Sequence, residues 1–255
     1  MAMHALSRRR FAAVAAGLGA LLAVAACGGT EEPATGTAAA SAAPSASAGG
    51  PWVWTDDRGR RIELPQRPTR IVAQSSAAAA LWDFGVRPVG VFGPHKLKDG
   101  SPDPEVGEVD ISTVESLGNV WDEFNVERYA ALRPDVLISG MYQKDTLWYV
   151  PEKSKEQIEQ IAPTIGVQLT GRSLVENIAT YEKLAAHLGA DPDAAGVPAA
   201  KARFEAAVAE LKRTVAEKRL KVTFITGDAD NVYFANPGNF PDVKFFTEQG
   251  LDVVV

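Results

Sequence analysis

The chain holds 255 residues, with a formal net charge of −6 and 46% hydrophobic residues. That apolar share belongs to a globular protein rather than a disordered one. The acidic balance argues against a general nucleic-acid partner, because neutralising phosphates needs a basic face.

Ser7-Arg8-Arg9-Arg10-Phe11 precedes an apolar run from Ala12 to Ala26. A charged start, a short greasy middle and small residues at its end are the layout of a secretory signal, here residues 1–26. The run falls short of the roughly 20 apolar residues that a membrane-spanning helix needs. The arginine pair before Phe11 fits the twin-arginine export address, with an ordinary arginine-rich signal as the plainer alternative. Val24-Ala25-Ala26-Cys27 then reads as a lipobox, in which the Cys27 thiol carries the lipid. Cys27 is the only cysteine, so no intramolecular disulfide forms. The bland alternative is a passive small hydrophobe. Within residues 27–50, all that follow Cys27 are Gly, Ala, Ser, Thr and Pro with two glutamates, too polar and small to offset the entropy of ordering. They read as a tether, which places the protein outside the cell, lipid-anchored to the outer face of the cytoplasmic membrane.

The folded part begins near Pro51. Two extended runs flank Asp57-Arg58-Gly59, a hairpin signal. Arg70 to Ala73 reads as a buried strand, Ala77 to Phe84 as a helix capped by Gly85, and Pro88 to Phe92 as the next strand. Val126 to Leu132 is a helix stopped by Arg133-Pro134. Asp135 to Ser139 is a strand, Glu152 to Ile161 a helix and Thr164 to Gln168 a fourth strand. Strands alternating with helices predict an α/β fold, a parallel sheet with helices on both faces. Ser173 to Leu188 is helical, with Ser173 and Glu176 forming a capping box. Val197 to Leu220 is helical too, with Phe204, Val208, Leu211 and Val215 on one face. A strand over 221–226, a helix near 243–249 and a strand over 251–255 restart the α/β logic. The expected organisation is an N-lobe over 51–172, a bridging helix over 173–190 and a partial second lobe over 191–255.

Arg70-Ile71-Val72 leads to Asp83-Phe84-Gly85-Val86, then to Pro88-Val89-Gly90-Val91. Later come Phe124-Asn125-Val126-Glu127-Arg128 and Leu132-Arg133-Pro134-Asp135-Val136-Leu137-Ile138. In that order and spacing, from about Thr55 onward, these residues resemble the class III solute-binding lipoproteins of ABC importers, the iron-siderophore and cobalamin branch. The resemblance implies two Rossmann-like lobes bridged by one long helix, with the ligand held in the cleft between them. It also implies partners: an ABC permease with its ATPase, met through a surface glutamate on each lobe. Glu127 matches the N-lobe position, and its bland alternative is an acid stabilised at a helix N-terminus. The family's C-lobe repeats the acidic helix–strand unit, and no second counterpart of Phe124 to Ile138 is present here. The second lobe is therefore expected to be incomplete, with one docking glutamate.

Ligand candidates sit where strands end. Trp121 lies in a polar loop that no hydrophobic period explains, and a tryptophan at the matching place faces ligand in the cobalamin relatives. A core cap is the alternative. Tyr142 follows the third strand, while Gln74 and His95 lie at strand ends as hydrogen-bond donors, His95 being by type a solvated loop histidine. From the second lobe, Tyr233, Phe234 and Asn236 are placed to close over a ligand. Tyr233 alternates with Val232 and Phe234, so one face points inward, without the sequence saying which. Trp148 and Tyr149 read as packing under Pro151, Trp82 as core and His187 as structural. A siderophore brings all of its metal's ligands, so no cofactor and no protein metal site are expected. With His95 and His187 the only histidines after the signal, a naked Zn or Mn site is disfavoured. Lys144, Arg172 and Lys244 are the basic groups placed to meet an anionic chelate. A ferric siderophore is the first expectation, cobalamin or haem the second, and the receptor is expected to act as a monomer without nucleic acid.

The rival class is an exported α/β enzyme, since parallel sheets host many chemistries. No dinucleotide fingerprint, phosphate loop, zinc helix or nucleophile elbow occurs. Asp228-Ala229-Asp230-Asn231 lacks the glycine and terminal glutamate of a calcium loop and reads as a turn.

Overall fold

The computed structural model describes Gly50–Val255 apart from residues 192, 195, 228 and 229. The expected signal, Cys27 and nearly all of the tether lie outside the described residues, as does part of the Asp228–Asn231 turn.

β1 (Trp52–Thr55) and β2 (Arg61–Leu64) form the antiparallel hairpin. The strand and helix alternation follows: β3 (Ile71–Gln74), α1 (Ser75–Asp83), β4 (Gly90–Phe92), β5 (Glu115–Ser116), α2 (Val126–Leu132), β6 (Val136–Met141), α3 (Glu152–Ile161), β7 (Thr164–Gln168) and α4 (Leu174–His187). One five-stranded sheet in the order β5-β4-β3-β6-β7 results, and every neighbouring pair is parallel.

Side chains alternate across a strand, and a parallel sheet buries both faces. Ile71, Ala73, Val91, Val136, Ile138 and Ile165 accordingly meet α1, α4 and the hairpin through Leu81, Leu184, Trp52 and Ile62. Val72, Phe92 and Leu137 point the other way, into a second core closed by Tyr129 of α2 and Ile158 of α3. Helix ends obey local chemistry. The Asn125 side chain accepts the Arg128 N–H at 2.9 Å, and Arg133 turns left-handed at φ 46° before Pro134. The Ser173–Glu176 capping box forms, the Glu176 carboxylate accepting the Ser173 N–H at 2.6 Å.

Asp56 ties the hairpin to the sheet. Its carboxylate accepts backbone N–H groups from Arg58, Arg60 and Gly166 at 2.9, 3.0 and 2.9 Å, and the Arg58 Nε–H at 2.7 Å. Arg58 Nη2 donates onward to the Thr164 carbonyl at 2.6 Å. The two side chains are 0% and 2% exposed, so the pair stands only because its hydrogen bonds replace water.

The second half is built differently. α4 is no bare rod, because Tyr181, Leu184, Ala185 and Leu188 are buried in the core beneath the first sheet. α5 (Val197–Lys218) follows it, 22 residues without a fully buried side chain and so about 33 Å long. Its expected stripe of Phe204, Val208, Leu211 and Val215 is half-buried. The single strand expected over 221–226 splits into β8 (Lys221–Val222) and β9 (Ile225–Gly227), after which come β10 (Val232–Phe234), α6 (Pro241–Glu248) and β11 (Asp252–Val253). β8 pairs parallel with β11, and β9 pairs antiparallel with β10. α4 packs against α1 and also against α6. Beyond residue 190, the buried hydrophobic side chains among the described residues are Val243 and Phe245.

Candidate functional site

Parallel strands of an open sheet end together, and the crevice beyond their carboxyl ends is where such sheets take ligands. Here β3 ends at Gln74, β4 runs into Gly93-Pro94-His95, and β6 runs into Tyr142. The structure gathers four aromatic rings at this end. Trp121 meets Trp148 and Tyr149 at centroid distances of 4.7 and 5.1 Å, and Tyr142 meets Trp148 at 5.1 Å. Trp121 is 57% exposed, a wasteful placement for a large ring unless something covers it.

The loop that carries Trp121 is closed by its own polar groups. The Glu123 carboxylate accepts the Asn119 N–H at 2.8 Å. The Asn119 side chain accepts the His95 and Lys96 N–H groups at 3.1 and 2.9 Å, and donates to the Lys96 carbonyl at 2.8 Å. Gly118 is required there: at φ 149° a Cβ would lie 2.1 Å from the Glu123 carbonyl oxygen. On the facing side, the Trp148 N–H donates to the Gly140 carbonyl at 2.9 Å. Tyr149, at φ 59°, rests on Gly93, where a Cβ would lie 3.3 Å from its ring. Trp148 and Tyr149, expected to serve packing under Pro151, lie in the cluster with Trp121 and Tyr142, and Tyr149 also packs against the second core.

Gln74 is buried and hydrogen-bonded at both ends of its amide. It donates to Glu105 Oε1 at 2.7 Å and accepts from the Ser76 hydroxyl at 2.7 Å. It thus holds Glu105 in place with one of its two amide N–H groups. Glu105 opens a short 3₁₀ turn, Pro104–Val106, whose cap is the Asp103 side chain accepting the Glu105 N–H at 2.9 Å. Burial pushes the Glu105 carboxyl above its ordinary range, against the Gln74 hydrogen bond, and Asp103 adds to the rise. The Tyr142 and Tyr149 phenols are also raised, first by burial and next by the charge of Glu105. His95 corrects its expectation as a solvated histidine. It is 1% exposed, with Nδ1 2.7 Å from the Gly93 carbonyl oxygen, because the Asn119 loop folds over it.

The second-half candidates separate. Tyr233 and Phe234 are 51% and 58% exposed, and Val232 is 65% exposed. The expectation that one face of this strand points inward therefore fails. Among the described residues β9 and β10 form a two-stranded ribbon with each other, and all three side chains of β10 are exposed. Asn236 comes closer. Its side chain accepts the Gly238 N–H at 2.8 Å, and the Gly238 carbonyl accepts from Gly171 at 3.2 Å. The neighbouring Thr170 hydroxyl donates to the Tyr142 carbonyl at 2.7 Å. A groove of about 1110 Å³ runs from Ser76, Tyr142 and Leu169 past Ile178 to Phe204 and Phe240.

Glu127 is exposed in the first turn of α2. His187 lies between Trp52 and Trp54, at centroid distances of 5.1 and 5.4 Å, a structural placement. Trp82 is half-buried against the core, with the Arg87 guanidinium 4.1 Å above its ring. Two of the expected basic groups are occupied: Arg172 forks onto Asp57 at 2.7 and 2.8 Å, and Lys244 donates to the Gly171 carbonyl at 2.7 Å. Lys144 is exposed. Among the described residues, no three His, Cys, Asp or Glu side chains gather as metal ligands, and no helix is long and apolar enough to cross a membrane.

The chain is similar to several solved receptors. DesE, a ferric-siderophore receptor protein from Streptomyces coelicolor, shares 39% identity at a TM-score of 0.77, over 80% of this chain and 69% of that one. PiuA, an iron uptake ABC transporter substrate-binding protein from Streptococcus pneumoniae, shares 20% identity at a TM-score of 0.55, over 78% of this chain and 67% of its own. YclQ, a petrobactin-binding protein from Bacillus subtilis, shares 16% identity at a TM-score of 0.53, over 74% of this chain and 62% of its own. The last two likenesses speak for the fold alone. No curated protein matches the sequence. DesE, at 39% identity, is a receptor and not an enzyme, which sets aside the exported-enzyme alternative. The family model for periplasmic binding proteins matches residues 74–249, and the chain belongs to that family.

Proposed function

We propose that this protein is the extracytoplasmic receptor of an ABC importer, taking a ferric siderophore at the carboxyl ends of β3, β4 and β6. The observation that carries the reading is the cluster of half-buried Tyr142, Trp148 and Tyr149 around exposed Trp121 on a scaffold 39% identical to a ferric-siderophore receptor. A chelated metal has no vacant coordination sites, so its receptor recognises the organic shell. Aromatic faces and a few fixed polar groups do that, whereas a metal cage would have nothing to bind. Residues on the second half, with Asn236 nearest, close over the ligand.

Delivery belongs to the same reading. Glu127, exposed in the first turn of α2, docks the N-terminal half on the permease, and lipid on Cys27 keeps the receptor at the membrane. Uptake of radiolabelled ferric chelate by a strain lacking this protein tests the reading. Uptake falls in that strain and returns with the full chain but not with Cys27→Ala plus Glu127→Lys. Unchanged uptake on removal would contradict a receptor role.

A further inference from the structure

Resting on the receptor reading above, we infer that Asn119 is a positioning residue for ligand binding. Its side chain clasps the loop after β5 onto the loop after β4, and so sets the pose in which Trp121 meets a chelate.

The need for such a residue follows from Trp121 itself. Its ring is 57% exposed, and its aromatic neighbours are Trp148 and Tyr149, both met edge-on. Edge-on ring pairs are tolerant of spacing, so they steady the indole without fixing it. Among the described residues Trp121 makes no hydrogen bond of its own. Its pose is therefore the pose of its loop. Within that loop, Glu123 accepts the Asn119 and Val120 N–H groups at 2.8 and 3.3 Å, and the Glu123 N–H donates to the Val120 carbonyl at 3.2 Å. These bonds give the loop its shape. They do not say where it sits.

Asn119 supplies the place. Its Oδ1 accepts the His95 and Lys96 N–H groups at 3.1 and 2.9 Å, and its Nδ2 donates to the Lys96 carbonyl at 2.8 Å. An amide turned over would set oxygen against oxygen and N–H against N–H, so one orientation serves. The segment that it grips is firm. His95 is buried with Nδ1 2.7 Å from the Gly93 carbonyl oxygen, and its own carbonyl accepts the Asp103 N–H at 3.1 Å. Gly93 in turn lies under the Tyr149 ring, and Tyr149 meets Trp121 at 5.1 Å. A closed circuit results, from Asn119 through His95 and Gly93 to Tyr149 and back to Trp121.

The remaining ties act elsewhere. Gly93 N–H to the Gly118 carbonyl, at 3.0 Å, and Asn125 N–H to the Leu117 carbonyl, at 2.6 Å, hold the two roots of the loop. Lys153 bonds Asp122 at its tip, but the two side chains are 65% and 54% exposed, and such surface pairs hold little. Removing the Asn119 side chain should thus free the tip and leave the roots and the fold in place.

The test is a double-mutant cycle, read by calorimetric titration of the whole mature protein with a ferric trihydroxamate. Asn119→Ala is expected to weaken binding about tenfold in the parent, and about twofold or less when Trp121→Ala is already present, because residues that act through one another are not additive. Asn119→Asp keeps acceptors for both N–H groups and loses the donor, so its affinity should fall between parent and Asn119→Ala. Circular dichroism and the melting midpoint report folding, and Asn119→Asp carries the cycle if Asn119→Ala does not fold. Equal fold-losses in both backgrounds, as from general loosening or from displacement of the exposed Lys96, overturn the inference and leave the receptor reading intact. So does unchanged affinity in folded Asn119→Ala. No binding by the parent overturns both.

Discussion

Trp121 and Trp148 meet edge-on, ring centroids 4.7 Å apart at 64°, across the open end of the five-stranded sheet. One sits on a loop pinned by Asn119 and Glu123, the other on the β6–α3 connection. Because Trp121 is more than half exposed, it contributes little to the fold and much to whatever covers it. Trp121→Ala is expected to weaken chelate binding at least tenfold, about 1.4 kcal/mol. Its melting midpoint should stay within about 3 °C of the parent. Calorimetric titration and a thermal scan of the same sample check both halves.

Gly118 gives a second handle on the same ring. A Cβ there would overlap the Glu123 carbonyl oxygen in a backbone shape that side chains avoid. Gly118→Ala should therefore displace the loop, and the loss should appear in affinity before stability. Quenching of tryptophan fluorescence by acrylamide reads the displaced Trp121 directly, as a rise in accessibility without ligand. An accessibility equal to the parent's would show that the loop absorbs the methyl group.

The Asp56–Arg58 pair makes a prediction about stability alone. Replacing Asp56 with Ala leaves a guanidinium 2% exposed and frees the N–H groups of Arg58, Arg60 and Gly166. Breaking one partner of such a pair costs about 3–5 kcal/mol. Urea unfolding should show the midpoint falling sharply, with the slope unchanged.

Glu105 gives the pH dependence. Burial raises its carboxyl, and the Gln74 bond only partly opposes this. A raised value means that the folded chain holds the proton more tightly than the unfolded chain does. Its contribution is then full below the ordinary carboxylate range and lost as pH rises through the shifted titration. Glu105→Gln, which is always neutral, should gain in melting midpoint relative to the parent as pH rises from mildly acidic to neutral. The groups facing it are Gln74, Asp103, Tyr142 and Tyr149, none of which carries a positive charge to reverse the sign.

Much of the first sheet is readable in the sequence because its signals are local. The bounds of α2 follow from the Asn125 cap and the Arg133-Pro134 stop, and β6 is a plain apolar run. β5 is not readable: Glu115 and Ser116 carry no strand pattern and are extended only because β4 pairs with them. The same divide runs through the site. Trp121 and Tyr142 stand out in the sequence as loop aromatics beside strand ends. Glu105 does not, since its partner Gln74 is 31 positions away. His95 looks like a surface residue until the Asn119 loop, 24 positions on, folds over it. Tyr149 joins the cluster through a positive φ and contact with Gly93, neither of which a periodicity reports. The second half departs from its sequence pattern for the opposite reason. An alternating Val232-Tyr233-Phe234 pattern implies a covered face, and all three side chains are exposed.

One titration bears most directly on the whole account. Tryptophan emission of the purified mature protein is followed as a ferric trihydroxamate is added, with the iron-free chelator as control. The expected record is saturable quenching at one chelate per chain, much weaker for the iron-free form, with the chelate recovered chemically unchanged. A linear, unsaturable response, or consumption of the chelate, would contradict a receptor that grips an intact ferric complex at these rings.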